Sequence, residues 1–442
     1  MKVKQRDITI PAFYVLLLTI FASCSMPDPN HVSSPDGSIS IDVKNNNGMI
    51  TYSVSKNNKM IIDASTLGLK TDQFDLVDNI KIISSQKNTF KETWTQVWGE
   101  QKEVLDHHNE LLMKLSSNDN MITMNVRFRV FNDGIGFRYE IPQQEGIDSF
   151  NILDELTEFN FAEDSPSWWI PAYAYRRYEF LYANTLISEI SRDKFSELVE
   201  NLNGPRLGPE AVQTPFTVQR EDGITIAIHE ANLANYSSMT LKANGTKNME
   251  CDLMPWSDGI KVKAKGPLNT PWRTIIVGET AAELPLSTLT LNLNEPNKLD
   301  NTDWIKPGKY IGLWWEMIGT NQSTWGSGPH HGAKTERVLE YIDFGAKYGF
   351  DGKSTALGLA TLRKNGFVSI DSTVREGVLQ TFALTTTGNK LNINAISQNN
   401  GYLLVEITDH KDDVIDGYSK SECIPFKGDS ISHNINWKNK SS

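Results

Sequence analysis

The sequence predicts a mainly β protein: a large antiparallel β-sandwich, then a single β/α unit, then a small C-terminal β-sandwich. Three observations carry the prediction. From Ser38 to about Asn294, apolar residues recur at every second position in short runs separated by turn residues, the period of half-buried strands. From Tyr310 to Gly352 the order becomes apolar run, helical segment, apolar run, as at the start of a parallel β/α fold. Past Lys353 no helical period recurs, and strand alternation returns.

The chain begins with an export signal. Lys2, Lys4 and Arg6 form a basic region, and Ala12 to Ala22 is an apolar run too short to span a bilayer. The run ends in FASCS, Phe21 to Ser25, which resembles a bacterial lipobox with Phe21 where Leu is usual. Residues 1–24 then read as a lipoprotein-type signal peptide with Cys24 as the lipidated residue. Ordinary signal-peptide cleavage nearby is the alternative. Lipidation implies a periplasmic or cell-surface protein held to the outer or inner membrane by its anchor.

In the β region the clearest segment is MITMNVRFRVFNDGIGFRYEI. Ile122, Met124, Val126, Phe128 and Val130 alternate with polar residues, Asn132-Asp133-Gly134 supplies a turn, and Ile135, Phe137, Tyr139 and Ile141 alternate again, which predicts a hairpin. ITIAIHEA, from Ile224 to Ala231, and IKVKAKG, from Ile260, follow the same rule. Many short strands of this kind make a large sandwich. Asn, Pro, Asp and Gly accumulate in NEPNKLDNTDWIKPGKY, a linker. YIGLWWEM then reads as a strand buried on both faces. Thr335 is placed to cap a helix running to about Tyr348, with Glu336 in its first turn, Lys347 in its last, Gly349 beyond its end, and Val338, Tyr341, Ile342 and Gly345 on one face. In the tail, Leu391, Ile393 and Ala395 alternate with Asn, and Leu403, Val405 and Ile407 alternate with their neighbours.

A net charge of −11 and the lack of a basic stripe exclude a nucleic-acid backbone as partner. Eleven Trp with abundant Asn, Asp and Glu suit neutral sugars, and suit an aromatic core equally. Cys251 and Cys423 are distant in sequence, so two buried free thiols are expected, with one disulfide as the alternative.

Four stretches, TQVWGEQKEVLDHHNEL, FNDGIGFRYEIP, TPFTVQREDGITIAIHEANLANYSSM and YIGLWWEMIGTNQSTWGSGPHHGAKTERVLEYIDFGAKYGFDG, resemble glycoside hydrolase family 97 in content and order. The likeness runs from about Ser38 to Gly352. It implies an N-terminal β-super-sandwich at 25–298 and the start of a (β/α)8 catalytic barrel at 299–353. It also implies an exported α-glucosidase or α-galactosidase acting on α-linked oligosaccharides beside a calcium ion. The tail, 354–442, resembles instead an accessory β-sandwich of propeller-type and sialidase-like glycosidases, which places a junction close to Lys353.

Glycoside hydrolysis needs two carboxyl groups flanking the scissile bond. In the family these come from barrel strands later than the second, beyond the matching segment. The resemblance therefore implies a catalytically incomplete barrel, since a whole one takes roughly 250 residues. The family's N-terminal calcium ligand corresponds to Glu230, at the end of an alternating strand where it can point out at an interface; a solvated strand-end glutamate is the plainer reading. Glu316 sits where the first barrel strand would end and Asp351 near the start of the second. Catalytic groups gather at the C-terminal rim of a barrel, and Glu316 is the candidate acid or base, with barrel framework or helix-side pairing the plainer reading of both. Trp314 and Trp315 are candidate sugar-stacking residues, although adjacent strand residues face opposite ways. By the same rule His107-His108 and His330-His331 do not chelate one ion, and no zinc set is completed. GTNQSTWGSG lacks the lysine and spacing of a phosphate cradle. Two functions follow: an α-glycosidase-lineage enzyme, or a non-catalytic carbohydrate-binding or remnant β-sandwich lipoprotein.

Overall fold

The computed structural model describes residues 28–117, 122–172, 180–198, 210–310, 316, 323, 328–332, 334–350, 377–381, 388, 390–398, 400–438 and 440–441. The chain divides into two compact units, one running to Pro307 and including 312–341, the other formed by 308–311 and 342–442. Among the described residues no helix is long and apolar enough to cross a membrane.

The first unit is a layered antiparallel sandwich. Ile39–Asn46, Met49–Lys56 and Lys59–Leu67 form a meander with His31–Ser33 at its edge. Its turns are set by local chemistry. Asn47-Gly48 and Asn57-Asn58 all have positive φ, the geometry that two-residue hairpin loops require and that Asn and Gly tolerate. The predicted hairpin is present as Thr123–Phe131 paired with Gly134–Ile141, with Phe131 opposite Gly134. These two strands lie inside a ten-stranded sheet that also contains Lys81–Thr95, Glu103–Ser116, Pro166–Trp169, Phe216–Gln219, Thr225–Ala231 and Trp272–Gly278. Two further four-stranded sheets complete the unit. One contains Ser149–Glu155, and the other pairs Met239–Ala243 with Asn248–Leu253.

Alternation directs one face of every sheet into a common core. Tyr52 of the meander packs on Phe137 of the large sheet at 5.1 Å, and Phe137 packs on Phe159 of a third sheet at 6.3 Å. All three are fully buried, and each such side chain contributes about 1.5–3 kcal/mol of transfer free energy. On the opposite face of the large sheet a short helix, Leu289–Asn292, lies against the hairpin. Gly136 allows this approach, because a Cβ there would lie 2.4 Å from Leu293 Cδ1. Asp133 fixes the start of the helix by accepting from the Thr288 amide at 2.9 Å and the Ser287 hydroxyl at 2.7 Å.

The predicted helix is present as Thr335–Lys347, with Gly349 following it at φ +69°. Gly345 is buried and Val338 and Tyr341 are half-buried, but Ile342 is exposed. The expected apolar face is therefore narrower than the sequence suggested. Glu316, expected at a strand end, has helical backbone. The rest of the strand expected over YIGLWWEM, apart from Tyr310, lies outside the described residues.

In the second unit, Asn392–Ile396 pairs with Asp429–Asn434 and Asn436–Trp437 pairs with Lys440–Ser441. Their core is Cys423, Ile435 and Trp437, with Tyr418 edge-on to Trp437 at 5.0 Å. The segment around Leu403, Val405 and Ile407 makes only isolated bridges at Leu403 and Thr408, and the Val405 amide donates to Cys423 Sγ at 3.3 Å instead of to a ladder. Cys251 and Cys423 are both free and buried.

Candidate functional site

The site is built on the end of Thr225–Ala231. Ile226 and Ile228 face the core, and the two-residue period carries Glu230 onto the same face. Its cross-strand partner in Trp272–Gly278 is Arg273, which shares a face with Ile275 and Val277 and is fully buried. A guanidinium in that position must be paired and hydrogen-bonded.

Glu155 supplies the pair. Arg273 Nε and Nη2 donate to its two oxygens, each at 2.7 Å. Thr157 Oγ1 donates to Glu155 Oε1 at 3.0 Å and the Tyr236 hydroxyl to Oε2 at 3.0 Å, so four donors meet the carboxylate. Behind them Tyr139 and Thr157 share a 2.7 Å hydrogen bond. The remaining guanidinium nitrogen, Nη1, donates to Glu230 Oε2 at 2.7 Å, and the Met239 amide donates to Glu230 Oε1 at 3.1 Å. Both Arg273 and Glu155 have completely buried side chains, and Glu230 is 7% exposed. Glu230 is thus not a solvated strand-end residue; strand parity and the buried guanidinium draw it inward.

Burial is the largest single influence on both carboxyls, and the groups opposing it give opposite outcomes. It raises Glu155, but the charge and fork of Arg273, with Thr157 and Tyr236, outweigh it and hold Glu155 below the usual carboxylate value. Burial also raises Glu230, where the single contact from Arg273 and the Met239 amide do not compensate, so Glu230 sits above the usual value. Burial, reinforced by Glu155, pushes the Tyr236 hydroxyl and the Cys251 thiol well up.

The arrangement presents one fixed carboxylate. It is not a glycosidase acid–base pair, because a guanidinium stands between the two carboxylates. The same holds on the other face of the sheet, where Arg127 bridges Glu110 at 2.6 Å and Glu140 at 2.8 Å beside Trp272, itself flanked by Arg129 and Arg138. Calcium takes about 6–8 oxygen ligands. Glu230 offers a single carboxylate already engaged by Arg273, and no group of three or more His, Cys, Asp or Glu among the described residues is placed to hold a metal. The described residues therefore do not by themselves fit calcium.

Glu316 is held differently. Its Oε2 accepts from the Tyr341 hydroxyl and from Arg337 Nη2 at 3.1 Å, and these contacts, Tyr341 foremost, keep the carboxyl below its usual value. An ionised carboxylate engaged in this way is unsuited to donate a proton. His107 and His108 diverge as expected: His108 is buried against Phe90 and Phe131 and bonds Asp106 at 2.6 Å. Cys24, Trp314, Trp315 and Asp351 lie outside the described residues.

Sequence reasoning missed Arg273 and Glu155. Arg273 was legible, since it sits at a core-facing position in WRTIIVG. Glu155 was not. Parity from Phe150 and Ile152 points Asp154 inward, and an irregularity in pairing between Ile152 and Asp154 turns Glu155 in instead.

The fold is mostly β, with several antiparallel sheets packed on one core, as expected for a β-sandwich-rich N-terminal region. Residues 32–296, more than half of the chain, match the family described as Glycosyl-hydrolase 97 N-terminal. The chain belongs to glycoside hydrolase family 97. A family 97 enzyme from Pseudoalteromonas sp. strain K8, solved in complex with panose, is 42% identical with a TM-score of 0.60, covering 73% of this chain and 46% of that one. The same enzyme has been solved with acarbose, with a TM-score of 0.59. The retaining alpha-galactosidase of Bacteroides thetaiotaomicron is 24% identical over 363 residues, 76% of this chain and 51% of the relative. The chain thus spans about half the length of the curated relatives it matches.

Proposed function

We propose that this protein serves α-linked oligosaccharide metabolism in the α-glucosidase or α-galactosidase lineage. On this reading the sandwich presents Glu230 to a sugar site whose catalytic carboxyls lie outside the described residues. The observation that supports it best is the 42% identity to the Pseudoalteromonas enzyme, whose structures hold panose and acarbose. The two arginine-bridged carboxylate clusters support the further reading that the described residues do not hydrolyse glycosides. A glycosidic bond needs carboxyls about 5–10 Å apart across open space, and in both clusters a guanidinium fills the gap.

The test is release of aryl aglycone from α-galactosides and α-glucosides by the full chain, with and without calcium. Turnover would move the catalytic carboxyls into the undescribed residues. Binding of α-linked oligosaccharides without turnover is the expected result. Absence of both would overturn the reading. The signal-like leader and FASCS support the further proposal that lipidation at Cys24 holds the protein at the cell envelope. Metabolic labelling with a fatty-acid probe is expected to mark the unaltered chain and not Cys24→Ser.

A further inference from the structure

We infer that Arg273, gripped by Glu155, is the positioning residue that sets the orientation of the Glu230 carboxylate. This deepens the reading above and rests on it only for the purpose that the carboxylate serves.

A strand-end glutamate has three side-chain torsions and wanders unless it is tied down. Glu230 has two ties from two different strands. Arg273 Nη1 in Trp272–Gly278 holds Oε2 at 2.7 Å, and the Met239 amide at the start of Met239–Ala243 holds Oε1 at 3.1 Å. The first tie is useful only if Arg273 cannot swing. Its other two donors form a bidentate fork on Glu155, the planar geometry that fixes a guanidinium most firmly. Glu155 is fixed in turn by Thr157 and by Tyr236, whose ring also lies 5.7 Å beneath the guanidinium. The relay therefore runs from the interior outward, Tyr139 to Thr157 to Glu155 to Arg273 to Glu230, with each member satisfied by the next. Well-packed apolar residues of similar volume could fill such a space at equal stability. A saturated ionic relay ending on one barely exposed carboxylate instead specifies direction.

The full chain is treated with a water-soluble carbodiimide and glycine ethyl ester, and labelling of each carboxylate is followed by peptide mass spectrometry. Glu230 in the unaltered chain is expected to label slowly. Arg273→Lys keeps the charge but loses the fork, and Glu155→Gln keeps the shape but loses the anchor. In each, Glu230 is expected to label at least about ten-fold faster, the factor implied by loss of one charge-assisted hydrogen bond, while the other carboxylates keep their rates. Tyr236→Phe, which removes one bond to Glu155, is expected to give a smaller rise in the same direction. Unchanged Glu230 labelling in Glu155→Gln, with the remaining pattern intact, would overturn the inference. If Arg273→Lys and Glu155→Gln both change the whole pattern, Tyr236→Phe decides by the same criterion. No sugar is involved, so failure here is distinct from failure of the glycosidase reading.

Discussion

Glu230 and Glu316 each accept a hydrogen bond from an arginine, Arg273 at 2.7 Å in the sandwich and Arg337 at 3.1 Å in the first turn of the helix Thr335–Lys347. Glu230 nevertheless titrates above the usual carboxylate value and Glu316 below it. The two carboxylates are comparably covered, 7% and 11% exposed, so the difference lies in how buried and how shared each arginine is and in the donors added to it. Arg273 is wholly buried and spends two of its three donor groups on Glu155, leaving Glu230 with one contact in a dry place. Arg337 is 40% exposed, and Glu316, itself only 11% exposed, receives both the Tyr341 hydroxyl and the Arg337 fork, which together outweigh its burial. An arginine contact alone therefore does not predict how a carboxylate behaves; the desolvation that accompanies it must be weighed as well.

The comparison breaks most sharply at Arg273. Arg273→Ala leaves Glu155 buried and uncompensated, and is expected to cost about 3–5 kcal/mol of unfolding free energy in urea titrations. A loss below about 1 kcal/mol would mean that the relay is dispensable. Glu230→Gln ranks next, because it leaves Arg273 Nη1 facing a neutral amide while the Glu155 fork persists. The expected loss is about 1–3 kcal/mol at the acid end and less at neutral pH, where the raised carboxyl no longer contributes. At the helix, Glu316→Gln is expected to fall within the range of about 0–1 kcal/mol typical of ion pairs near solvent. That loss should shrink further at high salt, whereas the Arg273 effect should not.

The pH dependence of stability sharpens the contrast through its sign. Glu155 has a depressed folded-state value, so its contribution is present above the ordinary carboxylate value of 4.5 and is lost as pH falls through the folded value. Glu230 is raised, so its contribution is present below 4.5 and is lost as pH rises through its folded value. Urea midpoints measured from about pH 3 to about pH 7 should show a shallower acid decline in Glu155→Gln than in the unaltered chain, once both are scaled to their maxima. In Glu230→Gln the loss relative to the unaltered chain should be greatest at the acid end. A uniform offset across the range in both variants would show that neither carboxyl is linked to folding.

Much of this protein is determined by its sequence alone. The alternation from Ile122 to Ile141 and the turn residues between specify a hairpin, with Gly134, expected in the turn, pairing instead with Phe131, because side-chain direction in a strand is a local property with a period of two. Thr335, Lys347 and Gly349 punctuate a helix for equally local reasons. Motif order alone pointed to family 97, which the match over 32–296 then established. Tertiary structure decided what the charged residues do. Glu155 reaches Arg273 across 118 positions, and it faces inward only because pairing shifts beside Asp154. Glu230 was visible as a candidate, but its burial and its partner were not. A buried charge takes its properties from whatever the fold brings against it, and that contact has no local period to read.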